Sequence, residues 1–326
     1  MSRVLVGRVA AVATLVAALA GVMLAPSAAE ASTASTPTLR LTVPDAFLVG
    51  GHLVTVPGRV VDVKGIVSPY VPGQTVVVRD SVGGKQFKTD TLRVNPAPGG
   101  SNGRFTETLD SPRAGEVRVV VTHAATPTLG AFSASRHFAA LDEHVGFGSP
   151  GPFVALIQQR LAALHFYIPQ TGVYDTGTGL ALDAYHRLLH WGTYQTLDGR
   201  TISFLLDGYG SFPVRFPSHG NHAEGNLTLQ LLALVSGSHV VAIYPISSGK
   251  PSTPTILGDF HVYSKVPGYL PDGMYFSNFF FSGYAIHGYD PAPDYPASHG
   301  CMRLPIVDAL SVYGWLQIGD WVDTYY

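Results

Sequence analysis

The segment Ile286-His287-Gly288 and, after a short loop, Ser298-His299-Gly300-Cys301-Met302-Arg303 sets the only cysteine of a 326-residue chain beside two histidines. A cysteine attacks an acyl carbon as its thiolate, and a free thiol, with a pKa of about 8.5, is only a few per cent ionised at neutral pH. A neighbouring histidine can take the thiol proton. Unpaired N–H groups at a helix N-terminus favour the anion left behind. The sequence offers both devices, because His287 ends an apolar run that reads as a strand and Cys301 lies a few residues before a stretch that reads as a helix. Gly300 lets the backbone approach a carbonyl closely and helps expose N–H groups for an oxyanion hole. The loop Tyr289–Ala297 carries three prolines, is stiff for that reason, and could present Tyr289 or Tyr295 to a substrate. From these residues alone the chemistry is acyl transfer by a Cys–His pair. The plainer alternative for a lone cysteine is a small buried hydrophobe.

The elements around this segment divide the chain. Residues 1–31 read as a signal peptide: Arg3 and Arg8 precede an apolar stretch from Val9 to Ala25, and Ala29-Glu30-Ala31 forms a cleavage site before Ser32. An uncleaved anchor is the rival, since the apolar stretch is nearly long enough to span a bilayer. Export normally permits disulfides, yet one cysteine cannot make an internal one, so the thiol needs another purpose. No cysteine lies near the cleavage site, which excludes lipid attachment there. A hydrophobic content of 46% with 13% charged residues describes ordered material, and 36 Gly with 24 Pro points to many turns and a β-rich fold. A net charge of −2 without a basic run does not suggest nucleic acid, and none is expected as a partner.

A Ser/Thr/Ala/Pro tether (32–37) leads into residues 38–140. There period-two runs such as TLRLTV, HLVTVPGRVV, QTVVVRD and EVRVVVTHA are separated by Gly, Pro and Asn, as in a β-sandwich. Residues 146–212 change to helical spacing. Val154, Ile157, Leu161 and Leu164 share one face, as do Leu180, Ala184, Tyr185 and Leu188, and RTISFLL suggests a third short helix. Residues 217–326 return to strands: LTLQLLALVSGSHVVAIYPISSGK reads as a hairpin around Ser-Gly-Ser, with further strands near 256–266, 274–281 and 283–288. A helix after the cysteine would bury Ile306, Ala309, Leu310, Tyr313 and Leu316, and DWVDTYY closes as a strand. The expected fold class is therefore multidomain and mainly β: an N-terminal β-sandwich, a small helical bundle, and a C-terminal mostly-β domain with a helix after the cysteine.

Three resemblances sharpen this. PGQTVVV and NGRFTETL with AGEVRVVV resemble bacterial immunoglobulin-like domains, which implies a spacer or a binding module. Gly148 and Gly151, Leu156 with Gln158, Gly172-Val173-Tyr174-Asp175, Ala184-Tyr185-His186 and Asp198-Gly199 resemble a peptidoglycan-binding module. It departs from that pattern in having His186 where glutamine is usual. The core Ser298-His299-Gly300-Cys301-x-Arg303, with SGKPSTPTILGDFHV and MYFSNFFFSGYAIHG upstream, resembles the L,D-transpeptidase (YkuD-like) catalytic domain over most of 225–326.

That last resemblance implies Cys301 as nucleophile and His287 as general base, its other nitrogen held by a carbonyl such as that of Gly288. His299 would line the pocket, Ser298 would support the loop, and the N–H groups of Gly300 and Cys301 would form the oxyanion hole. Arg303 would hold the loop or contact a substrate carboxylate, with Tyr275 and Tyr289 as further substrate contacts. The implied reaction releases D-Ala from a peptidoglycan tetrapeptide stem, forms a Cys301 thioester, and passes the acyl group to an amine of a second stem as a 3→3 cross-link. Water as acceptor would make the enzyme an L,D-carboxypeptidase. No metal or organic cofactor is implied. The expected partners are peptidoglycan stem peptides and glycan, at the cell wall or outside the cell, without stable membrane insertion after cleavage. Two rivals are a non-catalytic wall-binding protein and a zinc peptidase using His287, Asp290 and His299, or His219 and His222; neither histidine set has a recognised metalloprotease spacing.

Overall fold

In the computed structural model, residues 36–326 are described; the leader expected over 1–31 and the first part of the tether lie outside the described residues. The first strands are β1 (Thr38–Thr42), β2 (Phe47–Val49), β3 (His52–Thr55), β4 (Val60–Ser68), β5 (Thr75–Val82), β6 (Lys85–Arg93), β7 (Asn95–Pro96), β8 (Gly103–Asp110), β9 (Gly115–His123) and β10 (Phe132–Ala140). They form two sheets, ordered β1-β4-β8-β7 and β2-β3-β10-β9-β5-β6. Alternation does the sorting: Val61, Val63 and Val67 of β4 bury against Val76 and Val78 of β5 and Val117, Val119 and Val121 of β9. Lys64 and Ile66 of β4 point outward. HLVTVPGRVV is not one strand. Pro57 has no N–H to give a ladder, Gly58 sits at φ +72°, and the chain turns between β3 and β4.

The helices are α1 (Pro152–Ala163), α2 (Thr176–Leu188) and α3 (Gly199–Leu206). Asp175 caps α2 by accepting from Thr178 N at 2.9 Å, and Asp198 caps α3 by accepting from Thr201 N at 2.7 Å. Gln158 is buried and its amide ties Gly172 N and Val173 O to Thr178. His186 is also buried, with one ring nitrogen 2.8 Å from Tyr194 O and the other 2.9 Å from Thr201 Oγ1. These motif residues hold the bundle together from within.

The remaining elements are β11 (Asn221–Asn226), β12 (Leu231–Ser236), β13 (His239–Pro245), β14 (Gly258–His261), β15 (Ser264–Tyr269), β16 (Tyr275–Phe281), β17 (Tyr284–Gly288), β18 (Met302–Leu304), α4 (Ile306–Trp315) and β19 (Trp321–Tyr325). They make a five-stranded sheet, β13-β12-β11-β19-β14, and a four-stranded sheet, β15-β16-β17-β18. β12 explains its own unbroken apolar run. Leu232 and Leu234 enter the core between these two sheets, while Leu231, Ala233 and Val235 pack into the core of the helices. A strand covered on both faces has no reason to alternate with polar residues. The helical core also takes in Val49, Val54 and Val56, so it is continuous with its neighbours on both sides.

Two expectations about α4 are corrected. Its buried face is Asp308, Ala309 and Val312, with Leu316 just beyond its end, while Leu310 is 57% exposed. The stripe i, i+3, i+4 runs from 305 through 308, 309 and 312, one position off the expected one. The helix begins at Ile306, a few residues after Cys301 as expected, yet its N-terminus does not adjoin the cysteine. The strand β18 intervenes and, at roughly 3.3 Å per residue, carries the chain about 10 Å or more before α4 begins. A helix dipole acts within about its first turn, so the two are separated.

Candidate active site

β17 carries His287 in the middle of its sheet, paired antiparallel to β16 and parallel to β18, with His287 opposite Arg303. The histidine is 2% exposed. Its Nδ1 donates to the carbonyl of Gly288 at 2.9 Å, which leaves Nε2 as the acceptor. Gly288 is glycine for steric reasons, since a Cβ there would lie 2.7 Å from that of Ala309 on α4.

Cys301 is partly exposed, immediately before β18. Its Sγ lies 3.6 Å from the carbonyl oxygen of Gly283. The loop leading to it is clamped by one hydroxyl: Ser298 Oγ donates to Cys301 O at 2.6 Å and accepts from Gly300 N at 3.0 Å. Ser298 is itself held by its backbone, its N–H donating to Ser248 O at 3.0 Å and its carbonyl accepting from Lys250 N at 3.0 Å. Gly249, between those two residues, has no room for a Cβ, which would lie 2.3 Å from Thr253 O. Gly300 sits at φ +123°, where a Cβ would meet the Tyr284 ring at 2.3 Å. Because Gly300 N–H is committed to Ser298, the expected pair of oxyanion donors reduces to one. The Cys301 N–H makes no bond within the described residues.

His287 and Cys301 line one open cavity of about 570 Å³ with Ser298, His299, Tyr289 and Arg303. His299 is exposed, its Nε2 3.2 Å from Lys250 Nζ. The Arg303 guanidinium stacks 4.1 Å over the Tyr289 ring, and Tyr289 stands edge-on to His287 at 5.8 Å. Tyr275 is not on the cavity wall. It stacks on Tyr269 at 4.4 Å, because β16 shifts register between Tyr275 and Asn278, and Phe276 takes φ +50° there. Met274 and Phe279 line the cavity instead, with Leu270, Pro271 and Asp272. Asp272 was not legible in advance: Leu-Pro-Asp-Gly reads as turn chemistry and nothing more.

The electrostatics differ from the thiolate–imidazolium pair that the sequence invites. Burial lowers the His287 pKa, and the Arg303 charge lowers it further, against the Gly288 carbonyl and Asp272. Burial raises the Cys301 thiol above its ordinary value, against the Ala285 backbone N–H and Arg303. Both directions favour a pair that rests as thiol and neutral imidazole across the cavity. Such a pair needs no standing charge, and proton transfer accompanies attack.

The zinc alternative finds no geometry among the described residues, where no group of three or more His, Cys, Asp or Glu side chains is placed to hold a metal. His219, in the turn before β11, lies 3.1 Å from Asp323 on β19, and His222 lies 3.2 Å from Glu224 within β11.

Residues 221–323 match the family model of the L,D-transpeptidase catalytic domain (YkuD). Among solved structures, an L,D-transpeptidase from Xylanimonas cellulosilytica is 30% identical, with 57% of this chain and 98% of that chain covered and a TM-score of 0.51. The chain belongs to the L,D-transpeptidase family. Other similar structures are an L,D-transpeptidase from Stackebrandtia nassauensis (19% identity; 56% of this chain, 95% of that chain; TM-score 0.35) and the catalytic domain of the E. faecium L,D-transpeptidase (25%; 33% and 98%; TM-score 0.30). Comparison with curated protein sequences gives no match. The family acts on peptidoglycan stem peptides, and among the described residues no helix is long and apolar enough to cross a membrane.

Proposed function

We propose that this L,D-transpeptidase works outside the membrane through a Cys301 thioester. The observation that carries the proposal is the convergence of Cys301 and a His287 of fixed tautomer on one cavity, with the loop between Ser298 and Cys301 clamped by a single hydroxyl. His287 Nε2 takes the proton from Cys301 Sγ as sulfur attacks the carbonyl of the third residue of a tetrapeptide stem. The oxyanion that forms is met by the Cys301 N–H, the free donor at that position. His287 then returns the proton to the leaving amine, D-Ala departs, and a thioester remains. An amine of a second stem, deprotonated by His287, attacks the thioester and restores the thiol, giving the 3→3 cross-link. Lys250, which donates to His299 Nε2, supplies the cation at the rim where a stem carboxylate docks, and Arg303 acts through its stack on Tyr289. Ser298 positions the loop.

The test is incubation of the chain from Ser32 onward with a disaccharide-tetrapeptide, with intact-protein and product masses recorded together. The expected result is a covalent adduct, free D-Ala and a cross-linked dimer, all lost in Cys301→Ala. D-Ala and tripeptide without dimer would instead establish an L,D-carboxypeptidase. Absence of adduct and of D-Ala from folded, reduced protein would reject the proposal.

A further inference from the structure

A second cavity lies far in sequence from Cys301. It is a groove of about 900 Å³ on the N-terminal sandwich, and its charged lining residues are Lys64, Arg93 and Arg104, with no carboxylate among them. Strand register extends the pattern. On the outer face of the sheet β1-β4-β8-β7, Arg40, Ile66 and Arg104 stand side by side across three strands, and Thr42, Lys64 and Thr106 form the next row. None of Arg40, Lys64, Arg93 and Arg104 enters an ion pair among the described residues. The nearest acid on that face of β4, Asp62, already accepts from Thr108 Oγ1 at 2.8 Å. A chain with a net charge of −2 thus gathers four unpaired cations at one place.

Their arrangement bears on the ligand. A site for one small anion converges its donors on a point. Here neighbouring strands lie about 4.8 Å apart, so Arg40 and Arg104 are separated by roughly 10 Å, and Lys64 lies about 7 Å along the strand from their row. Between the cations the surface is apolar: Ile66 is 49% exposed, and Leu92 and Pro98 join it in the groove. Spaced cations over an apolar strip suit an extended chain whose anions repeat and whose linking atoms lie on the strip. Three of the four cations are arginines, whose planar forks pair with two oxygens at once, as phosphate offers. We propose that this groove binds a linear phosphate-bearing polymer, and so holds the enzyme on an anionic matrix independently of the Cys301 site.

The experiment uses the chain from Ser32 onward with Cys301→Ala, so that turnover plays no part, and follows fluorescence anisotropy of labelled long-chain polyphosphate. Binding is expected to weaken with salt, with log K falling against log salt at a slope of about −2 to −3, as for roughly four contacts to a flexible polyanion. Arg40→Gln/Lys64→Gln/Arg104→Gln should weaken binding at least about tenfold and flatten the slope by about 2. The single variant Arg93→Glu gives a second reading should the triple variant fold poorly, and it too should weaken binding several-fold. In the Cys301 protein, none of these changes should alter acylation by a small tetrapeptide. Equal binding by wild type and variants would overturn the proposal. Competition by orthophosphate at the same phosphate concentration would make this a single-anion site, and equal binding of polyglutamate would remove the preference for phosphate; either result refutes the proposal as stated.

Discussion

Arg187 links the helical segment to the loop that carries Cys301. From α2 its Nη2 reaches Asp183 Oδ2 at 2.5 Å, while its Nη1 donates at 3.0 Å to both Gln230 O and Ile246 O across the boundary. Both side chains of the pair are only 6% exposed. Gln230 continues the path: its side chain bonds Ser248 Oγ at 2.7 Å and Ser248 N at 2.8 Å. The Ser248 carbonyl in turn accepts from Ala297 N and Ser298 N. Substitution Arg187→Met keeps the length of the stem and removes the charge. It leaves the Asp183 carboxylate buried without compensation, and breaking a buried pair from one side costs about 3–5 kcal/mol. Burial already raises the Asp183 pKa, with Arg187 acting against it, so the single variant should also push Asp183 towards its neutral form. The double variant Arg187→Met/Asp183→Leu removes both charges. Its remaining loss is mainly the donor to Ile246 O, because Gln230 O still accepts from Ile246 N at 2.9 Å. That loss is about 1–2 kcal/mol, close to one buried group left unpaired. Urea unfolding of wild type, both single variants and the double variant closes the cycle, and the expected coupling is about 2 kcal/mol or more. Acylation of Cys301 by the tetrapeptide, followed by mass, should slow in Arg187→Met and partly recover in the double variant. A single variant within about 1 kcal/mol of wild type, with no coupling in the cycle, would mean that the pair is solvated in solution and the reasoning fails.

Other outcomes follow from the same geometry. Ser298→Ala strips the partner from Gly300 N and Cys301 O, so it should cost about 2–4 kcal/mol and slow acylation roughly 100-fold, as expected for a loop displaced by about 1 Å; unchanged acylation would show that the clamp is dispensable. Only neutral His287 can accept a proton, and its pKa is lowered, so acylation plotted against pH should stay high down to below the ordinary histidine range and fall only there. Arg303→Gln removes one of the causes of that lowering and should move the acid limb upward; a wild-type limb at or above about 6.5 would refute a neutral resting pair. In the sandwich, burial and the neighbouring Glu107 push Asp80 to about 7 from 3.8. The folded chain therefore binds a proton that the unfolded chain lacks between those values, and stability contributed here falls as pH rises through that window. Asp80→Asn, which keeps the shape of the neutral acid, should flatten that dependence and raise the denaturant midpoint at pH 8; an unchanged profile would mean that Asp80 is ionised in the fold.

What could be read in advance was set by where the sequence has little freedom. The convergence of Cys301 and His287 on one cavity was legible because a thiol, a base and a close backbone are chemically distinctive, and few residue types supply them. The mainly-β class was legible because β4, β5 and β9 alternate cleanly. The misses came from places where periodicity carries no information. β11 reads Asn-His-Ala-Glu-Gly-Asn, which no hydrophobic pattern marks as a strand, yet His222 and Glu224 are fully buried there by pairing with each other and with Tyr325, Arg215 N and Phe216 N. A buried polar cluster is invisible to a hydrophobic template because its stability lies in partners distant in sequence. Tyr275 was misplaced by a register break, and Leu310 by one position on a ten-residue helix. β12 was read correctly as half of a hairpin with β13, yet its burial was not. As half of a hairpin it should alternate, but Leu231-Leu232-Ala233-Leu234-Val235 does not, because successive residues serve two different cores. The helical segment is thus the second wall of the five-stranded sheet. Cutting the chain between Leu206 and Asn221 would leave Leu231, Ala233 and Val235 facing water, together with the carbonyls that Arg187 now satisfies.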